Sequence, residues 1–281
     1  MDKVVDSNDG TSDTVYIIDE DAHTPWVEKY RPRTLDAVIS HTNIIATLRS
    51  LLESNSLPHL LFYGPPGTGK TTSAMAIANQ MYSGKLRRHM VLELNASNDR
   101  GIDVIRNQIK EFASSVQLVR DRVKLIILDE ADSMTRIAQF ALRRIMEKFT
   151  RTTRFIIIAN YINKIIPAIQ SRCTTFRFSP LHGTEIVKYL QHIADSEHLP
   201  TESAALQATT QIASGDMRRC IHILQSCFAA YHSLTLKNVY LCTGVPSPEV
   251  IQTCLDLLMN QHYSIVYGEI SLLQIKHGIS L

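Results

Sequence analysis

A glycine-rich loop between an apolar strand and a small-residue helix constrains this chain more than any other feature. Residues 59–63 (HLLFY) read as a short buried strand, and after Thr71 the residues Ala74, Ile77, Ala78 and Met81 recur at helical spacing. Between them, Gly64-Pro65-Pro66-Gly67-Thr68-Gly69-Lys70-Thr71, followed by Thr72, fits the pattern G-x-x-x-x-G-K-[ST]. Glycines let the backbone turn so that its N–H groups converge on an anion at the positive end of the following helix. Residues 64–72 are therefore expected to bind a nucleotide through its phosphates. Lys70 is expected to reach the β- and γ-phosphates and the Thr71 hydroxyl to bind Mg²⁺. An ordinary strand–helix turn needs neither the lysine nor the threonine.

The pattern around the loop sets the fold class. The apolar runs at 60–63, 91–94, 124–130, 154–160 and 174–178 read as strands, and helical patterns separate them at 43–54, 71–83, 102–114 and 136–149. Alternation of this kind predicts an α/β fold, a parallel sheet with helices on both faces. Ser179-Pro180-Leu181-His182-Gly183 breaks the alternation, and helical segments follow at about 184–198, 202–213, 217–231 and 235–241. After a second break at Gly244–Pro248, residues 249–281 also read as helical. The expected organisation is a tail at 1–22, an α/β core at 23–180, a helical lid at 181–243 and the start of a further helical domain at 244–281.

A second chemical site ends one of the strands. Leu128-Asp129-Glu130-Ala131-Asp132 follows the apolar run Lys124-Leu125-Ile126-Ile127. Adjacent carboxylates at a strand end point to different sides, so Asp129 is assigned to the metal and Glu130 to an attacking water. That pairing predicts an ATPase rather than a kinase, which must exclude water. Asn160 closes the run Phe155–Ala159, where a carboxamide can face both the γ-phosphate and that water. A plain turn residue at the end of a strand is the other reading of Asn160. Arg218 follows the natural N-cap Asp216, and a cation in a helix's first turn opposes the helix dipole. Broken local rules mark function, so Arg218 is expected to reach from the lid to the nucleotide.

Composition narrows the class. At 281 residues with 44% apolar content the chain can bury sizeable cores, and no apolar run approaches the roughly 20 residues of a membrane span. Residues 1–22 hold seven acidic residues and one lysine, a net −6, so the remainder must carry +8 for the chain to total +2. The acidic tail reads as disordered. The basic remainder permits nucleic-acid binding without requiring it. Cys173, Cys220, Cys227, Cys242 and Cys254 show no C-x-x-C spacing and read as reduced core cysteines.

Together these motifs resemble the small subunits of replication factor C, the AAA+ clamp loader of eukaryotic DNA replication. The resemblance runs through Pro25-Trp26-Val27-Glu28-Lys29-Tyr30-Arg31-Pro32, the loop, Glu93–Ser97, Asp99–Asp103 and Leu128–Asp132. It continues through Ala141–Arg144, Asn160, Ile165–Gln170, Ser171-Arg172-Cys173 and Gly215–Arg219, so it covers about residues 25–245. Stretches such as Ile145–Phe149 and Phe176–Leu181 are most similar to the subunit 3/5 branch.

The resemblance implies an AAA+ core and lid, ATP with Mg²⁺ as cofactors, and a nuclear subunit of a heteropentamer. It implies other replication factor C subunits, the sliding clamp (proliferating cell nuclear antigen) and primer–template DNA as partners. Val27, Tyr30 and Arg31 match the segment bordering the adenine, Asn160 the sensor-1 position and Arg218 the sensor-2 position. Arg172 matches the finger that enters the neighbouring subunit's ATP site; a surface arginine paired with an acid is its other reading. Family members continue into a helical collar, and the expectation for 244–281 is a truncated start of one. A nucleotide-binding interaction subunit with little hydrolysis is the alternative function. Another AAA+ DNA motor fits less well with Ser171-Arg172-Cys173 and the opening Val27–Pro32.

Arg100 and Arg106 straddle the start of a helix that in the family faces DNA. They are candidates for phosphate contact, with solvated surface charge as the other reading. If both touch phosphates, replacing both by alanine in an assembled complex should lower the salt slope of DNA binding by about 0.9 per lost contact. An unaltered slope and affinity would assign them to the solvated surface.

Overall fold

A computed structural model of the chain describes residues 24–97, 102–115 and 122–277, with backbone alone at 102–106 and 276–277. The tail at 1–22 and Arg100 lie outside the described residues, and of Arg106 only the backbone is described.

The five apolar runs form one parallel sheet: β1 (Leu60–Tyr63), β2 (Val91–Asn95), β3 (Lys124–Asp129), β4 (Thr153–Ala159) and β5 (Thr174–Arg177), in the order β2-β3-β4-β1-β5. β1, β3 and β4 are buried almost throughout, whereas the edge strands β2 and β5 carry exposed residues such as Glu93, Thr174 and Thr175. Alternate side chains serve opposite faces, as the period of a strand demands. Leu60, Phe62, Ile127 and Ile158 pack beneath α2 (Thr42–Glu53), α3 (Lys70–Met81) and α4 (Lys85–Met90). Leu61, Ile126, Phe155 and Ile157 pack against α5 (Ile102–Ser114), α6 (Arg136–Lys148) and α7 (Pro167–Gln170). α4 was not legible in the sequence because Lys85-Leu86-Arg87-Arg88-His89-Met90 has no apolar period.

Parallel pairing decides where chemistry can happen. β1 lies beside β4, with Tyr63 level with Ala159, and β4 lies beside β3, with Ile157 level with Leu128. The carboxyl ends of these three strands therefore release Gly64, Asn160 and Asp129–Glu130 along one edge of the sheet, the usual place for a ligand in such folds.

Beyond β5, four helices share a separate core: α8 (Gly183–Ser196), α9 (Ser203–Ala213), α10 (Met217–Tyr231) and α11 (Leu236–Thr243). Asp216 caps α10 by accepting from Arg219 N–H at 3.1 Å, and Thr235 caps α11 by accepting from Asn238 N–H at 3.3 Å. The buried Trp26, on the short helix α1 (Trp26–Lys29), belongs to this core and not to that of the sheet. The helical stretch after Gly244 is two helices, α12 (Pro248–Asn260) and α13 (Tyr263–His277), separated at Gln261–His262. Leu258, Met259, Tyr267 and Ile275 stand exposed on that pair.

His59, just before β1, is buried, and its Nδ1 accepts from Phe155 N–H at 3.2 Å. Burial, with Arg154 nearby, pushes the imidazole down to about 4. Below the ordinary imidazole pKa of about 6.5 the unfolded chain takes up a proton that the folded chain refuses, so stability falls until about pH 4. This one group should contribute a loss on the order of 3 kcal/mol across that window. Urea midpoints between pH 7 and 4 should therefore fall less steeply for His59→Asn than for the parent.

Candidate nucleotide-binding site

The loop leaves β1 at Gly64, whose φ of 147° and surroundings admit only glycine: a Cβ there would lie 2.0 Å from the Phe178 carbonyl oxygen. Gly69, with φ 91°, caps α3 in the left-handed region that glycine adopts without strain. Lys70 opens α3, and its buried Nζ donates to the carbonyls of Gly64 at 2.8 Å and Pro65 at 2.7 Å. Burial holds the Lys70 ammonium below its ordinary pKa, and the Asp129 and Asp132 carboxylates partly oppose that shift. The Thr71 hydroxyl donates to Asp129 Oδ2 at 2.7 Å, while Asp129 Oδ1 accepts from Glu130 N–H at 2.8 Å. Two hard oxygen donors beside the loop lysine are the kind of set that suits Mg²⁺. Glu130 is exposed, with φ 52° and ψ 37°. A non-glycine residue in that region costs on the order of 1–3 kcal/mol and tends to occur where function holds it.

These residues line a cleft enclosing about 1000 Å³ of empty space, open mouth included. Pro66, Gly67, Thr68, Gly69, Lys70, Thr71 and Thr72 form its floor, with Asp129, Glu130 and Asn160 at one end. Val27, Tyr30 and Arg31 form a further wall, and Arg218 lines the cleft from the lid. Gly64 and Pro65, expected among the binding residues, do not line the cleft and bear on the site through their carbonyls' bonds to Lys70.

Pro32, Val38, Ile39, Leu181, Tyr189, Met217 and Ile221 also line the cleft and were not singled out in the sequence. Apolar residues at helical spacing read as core, and Leu181 and Ile221 do belong to the lid's core as well. The lid meets the loop directly. Met217 N–H, at the start of α10, donates to the Gly67 carbonyl at 3.2 Å. Gly67 has φ 67°, and a Cβ on it would lie 1.7 Å from Asp216 Oδ1.

Arg172 is outside its own chain's cleft. It is exposed at the end of α7, where Nη1 donates to the Ala168 carbonyl at 2.8 Å and Nη2 pairs with Glu147 at 2.5 Å. Glu147 Oε1 also accepts from Arg143 Nε at 3.0 Å, and these hydrogen bonds and charges keep its carboxyl below the ordinary range.

Residues 60–181 match the family model described as ATPase family associated with various cellular activities (AAA). Over 261 residues the chain is 53% identical to a probable replication factor C subunit 5 of Dictyostelium discoideum, covering 92% of this chain and 75% of that protein. It is 51% identical to replication factor C subunit 3 of Schizosaccharomyces pombe, again over 92% of this chain and 75% of that protein. The chain belongs to the replication factor C subunit family. Homo sapiens replication factor C subunit 5 is 49% identical, with 92% of this chain and 76% of that protein covered. The AAA match spans the loop, Asp129, Glu130, Asn160 and Arg172, and the chain is an ATPase of the AAA class that binds ATP. Among solved structures, the RuvB Holliday junction branch migration motor of Thermotoga maritima superposes with a TM-score of 0.61. That likeness covers 82% of this chain and 79% of that one at 17% identity, and it speaks to the fold alone.

The contact at Gly67 makes a test of how loop and lid cooperate. Gly67→Ala should add a backbone penalty of roughly 1–2 kcal/mol and a clash with Asp216. Its affinity for a fluorescent ADP analogue should fall, and adding Asp216→Ala should recover only the part owed to the clash. Unchanged affinity in Gly67→Ala would show that the loop tolerates displacement of the lid.

Proposed function

We propose that this chain is an ATP-hydrolysing subunit of a multisubunit nuclear clamp loader, placing the ring-shaped sliding clamp (proliferating cell nuclear antigen) on primer–template DNA. The observation that carries the proposal is a cleft in which the loop lysine, paired metal-type oxygens, an exposed carboxylate and a lid arginine converge, in a chain about half identical to replication factor C subunits along 92% of its length.

In this reading Lys70 exchanges its bonds to the Gly64 and Pro65 carbonyls for the β- and γ-phosphates. Thr71 and Asp129 would hold Mg²⁺, which would supply charge neutralisation at the phosphate oxygens. Glu130, exposed beside them, orients the attacking water, and Asn160 faces both that water and the γ-phosphate. Arg218 brings the lid's charge to the phosphates, so the chain's two domains close on one ligand.

The described residues lining the cleft include two arginines, Arg31 and Arg218, and neither comes from the strands of the sheet or the helices packed on it. Arg172 serves the neighbouring subunit's site instead, leaving Glu147 to do so, as arginine fingers act in trans in related phosphoryl transfer. The isolated chain therefore binds ATP and hydrolyses it slowly.

Two substitutions test this in a reconstituted complex. Glu130→Gln should retain ATP binding and abolish turnover at this subunit's site; unchanged turnover there would favour a nucleotide-binding interaction subunit. Arg172→Ala should leave this chain's ATP affinity intact and slow the adjoining subunit by roughly 10³–10⁵, the range of arginine-finger contributions. Mixed complexes with the other sites disabled in turn separate the two subunits. A loss confined to this chain's own site would refute the role in trans.

A further inference from the structure

One wall of the cleft, that of Val27, Tyr30 and Arg31, comes from a segment that precedes the first strand of the sheet but is fastened to the lid. Trp26 N–H donates to Gln225 Oε1 at 3.3 Å, and the Trp26 ring packs on Phe228 with centroids 5.1 Å apart. The Tyr189 hydroxyl donates to the Tyr30 carbonyl at 2.5 Å, and the Ser40 hydroxyl donates to Glu185 on α8. Glu197, the residue that ends α8, gathers this wall onto one atom. Its Oε1 accepts from the Tyr30 hydroxyl at 2.6 Å and pairs with Lys29 Nζ at 2.7 Å, with the glutamate side chain only 16% exposed.

The charge states suit that geometry. Burial alone would raise the Glu197 carboxyl, but the bonds from Lys29 and Tyr30 outweigh it and hold the group below its usual range. Burial, and then Glu197 itself, raise the Tyr30 phenol, which stays a donor. A half-buried carboxylate with two donors on one oxygen holds both in place more strongly than a neutral acceptor could.

We infer that Glu197 is a positioning residue for the base end of the nucleotide, holding Tyr30 and its wall against the lid through the Tyr30 hydroxyl and Lys29. The inference rests on the reading of the cleft as the ATP site. Because the phosphate floor hangs on the sheet and this wall hangs on the lid, the two ends of a nucleotide are held by different bodies. Loss of Glu197 should weaken a ligand with a base and spare one without.

The test is calorimetric titration of the full chain with Mg·ADP and with Mg·pyrophosphate, well below the melting temperature. Glu197→Ala should weaken Mg·ADP about tenfold, the scale of a lost charged hydrogen bond, and leave Mg·pyrophosphate within about twofold. Glu197→Gln, which keeps an acceptor for Tyr30, should recover part of the loss. Adding Tyr30→Phe to Glu197→Ala should weaken Mg·ADP no further. Should Glu197→Ala fail to fold, Tyr30→Phe carries the same comparison between the two ligands. Equal weakening of both ligands, or an Mg·ADP affinity within about twofold of the parent, overturns the inference and leaves Glu197 a purely structural anchor. Lys70→Ala is the control: it should weaken both ligands, and if it weakens neither, the cleft itself has been misread.

Discussion

The hydrogen bond from Met217 N–H to the Gly67 carbonyl turns two domains into one site. A helix begins with donors that have no partner in the helix, and α10 gives its first to the phosphate loop. Asp216 meanwhile spends its carboxylate on Arg219 N–H, so cap and loop contact sit side by side. The approach is so close that a Cβ at position 67 would have to displace the Asp216 carboxylate, 1.7 Å away. Arg218, one residue further on, is thereby aimed into the cleft. Its unfavourable place against the helix dipole follows from that docking, since no other residue of α10's first turn combines a positive charge with a view of the phosphate floor.

Lys70 and Thr71 in the cleft, and Arg172 outside it, each have a partner inside the chain, and every one of those partners is an oxygen acceptor. Lys70 rests on two carbonyl oxygens, Thr71 on a carboxylate, Arg172 on Glu147. Buried donors left alone cost several kcal/mol, so such pairings keep the fold intact while leaving each group exchangeable for a phosphate or metal oxygen. Arg172 and Glu147 are the exposed version of this, at a surface where an ion pair is worth little and is readily given up.

Several residues that line the cleft could be singled out before any fold was known, because their signals are local. The loop announces itself within eight residues, and Asp129, Glu130 and Asn160 each follow a run of apolar residues that had to be a buried strand. Arg218 stood out because it breaks a rule that concerns only its own helix turn. The parallel sheet was legible from alternation alone, since covered strands need apolar side chains on both faces. Membership of the AAA class follows from the same features.

What the sequence determined by itself was therefore local: the glycine-rich loop ending in Lys70-Thr71, the Asp129-Glu130 pair at a strand end and the strand–helix rhythm that presents them. Only the tertiary structure decided which distant segments complete the site. Trp26 is read in the sequence only as part of the stretch Pro25–Pro32, yet it packs into the lid's core about 200 residues away in the chain, at Gln225 and Phe228. Nothing local marks Tyr189, Ile221 or Glu197; the fold alone sets them against the cleft or its wall. The physical reason is range. A turn, a cap or a strand's burial is encoded by neighbours within a few residues, whereas the wall of this cleft is set by how two separately packed cores meet, and no short stretch of sequence contains both sides of that contact.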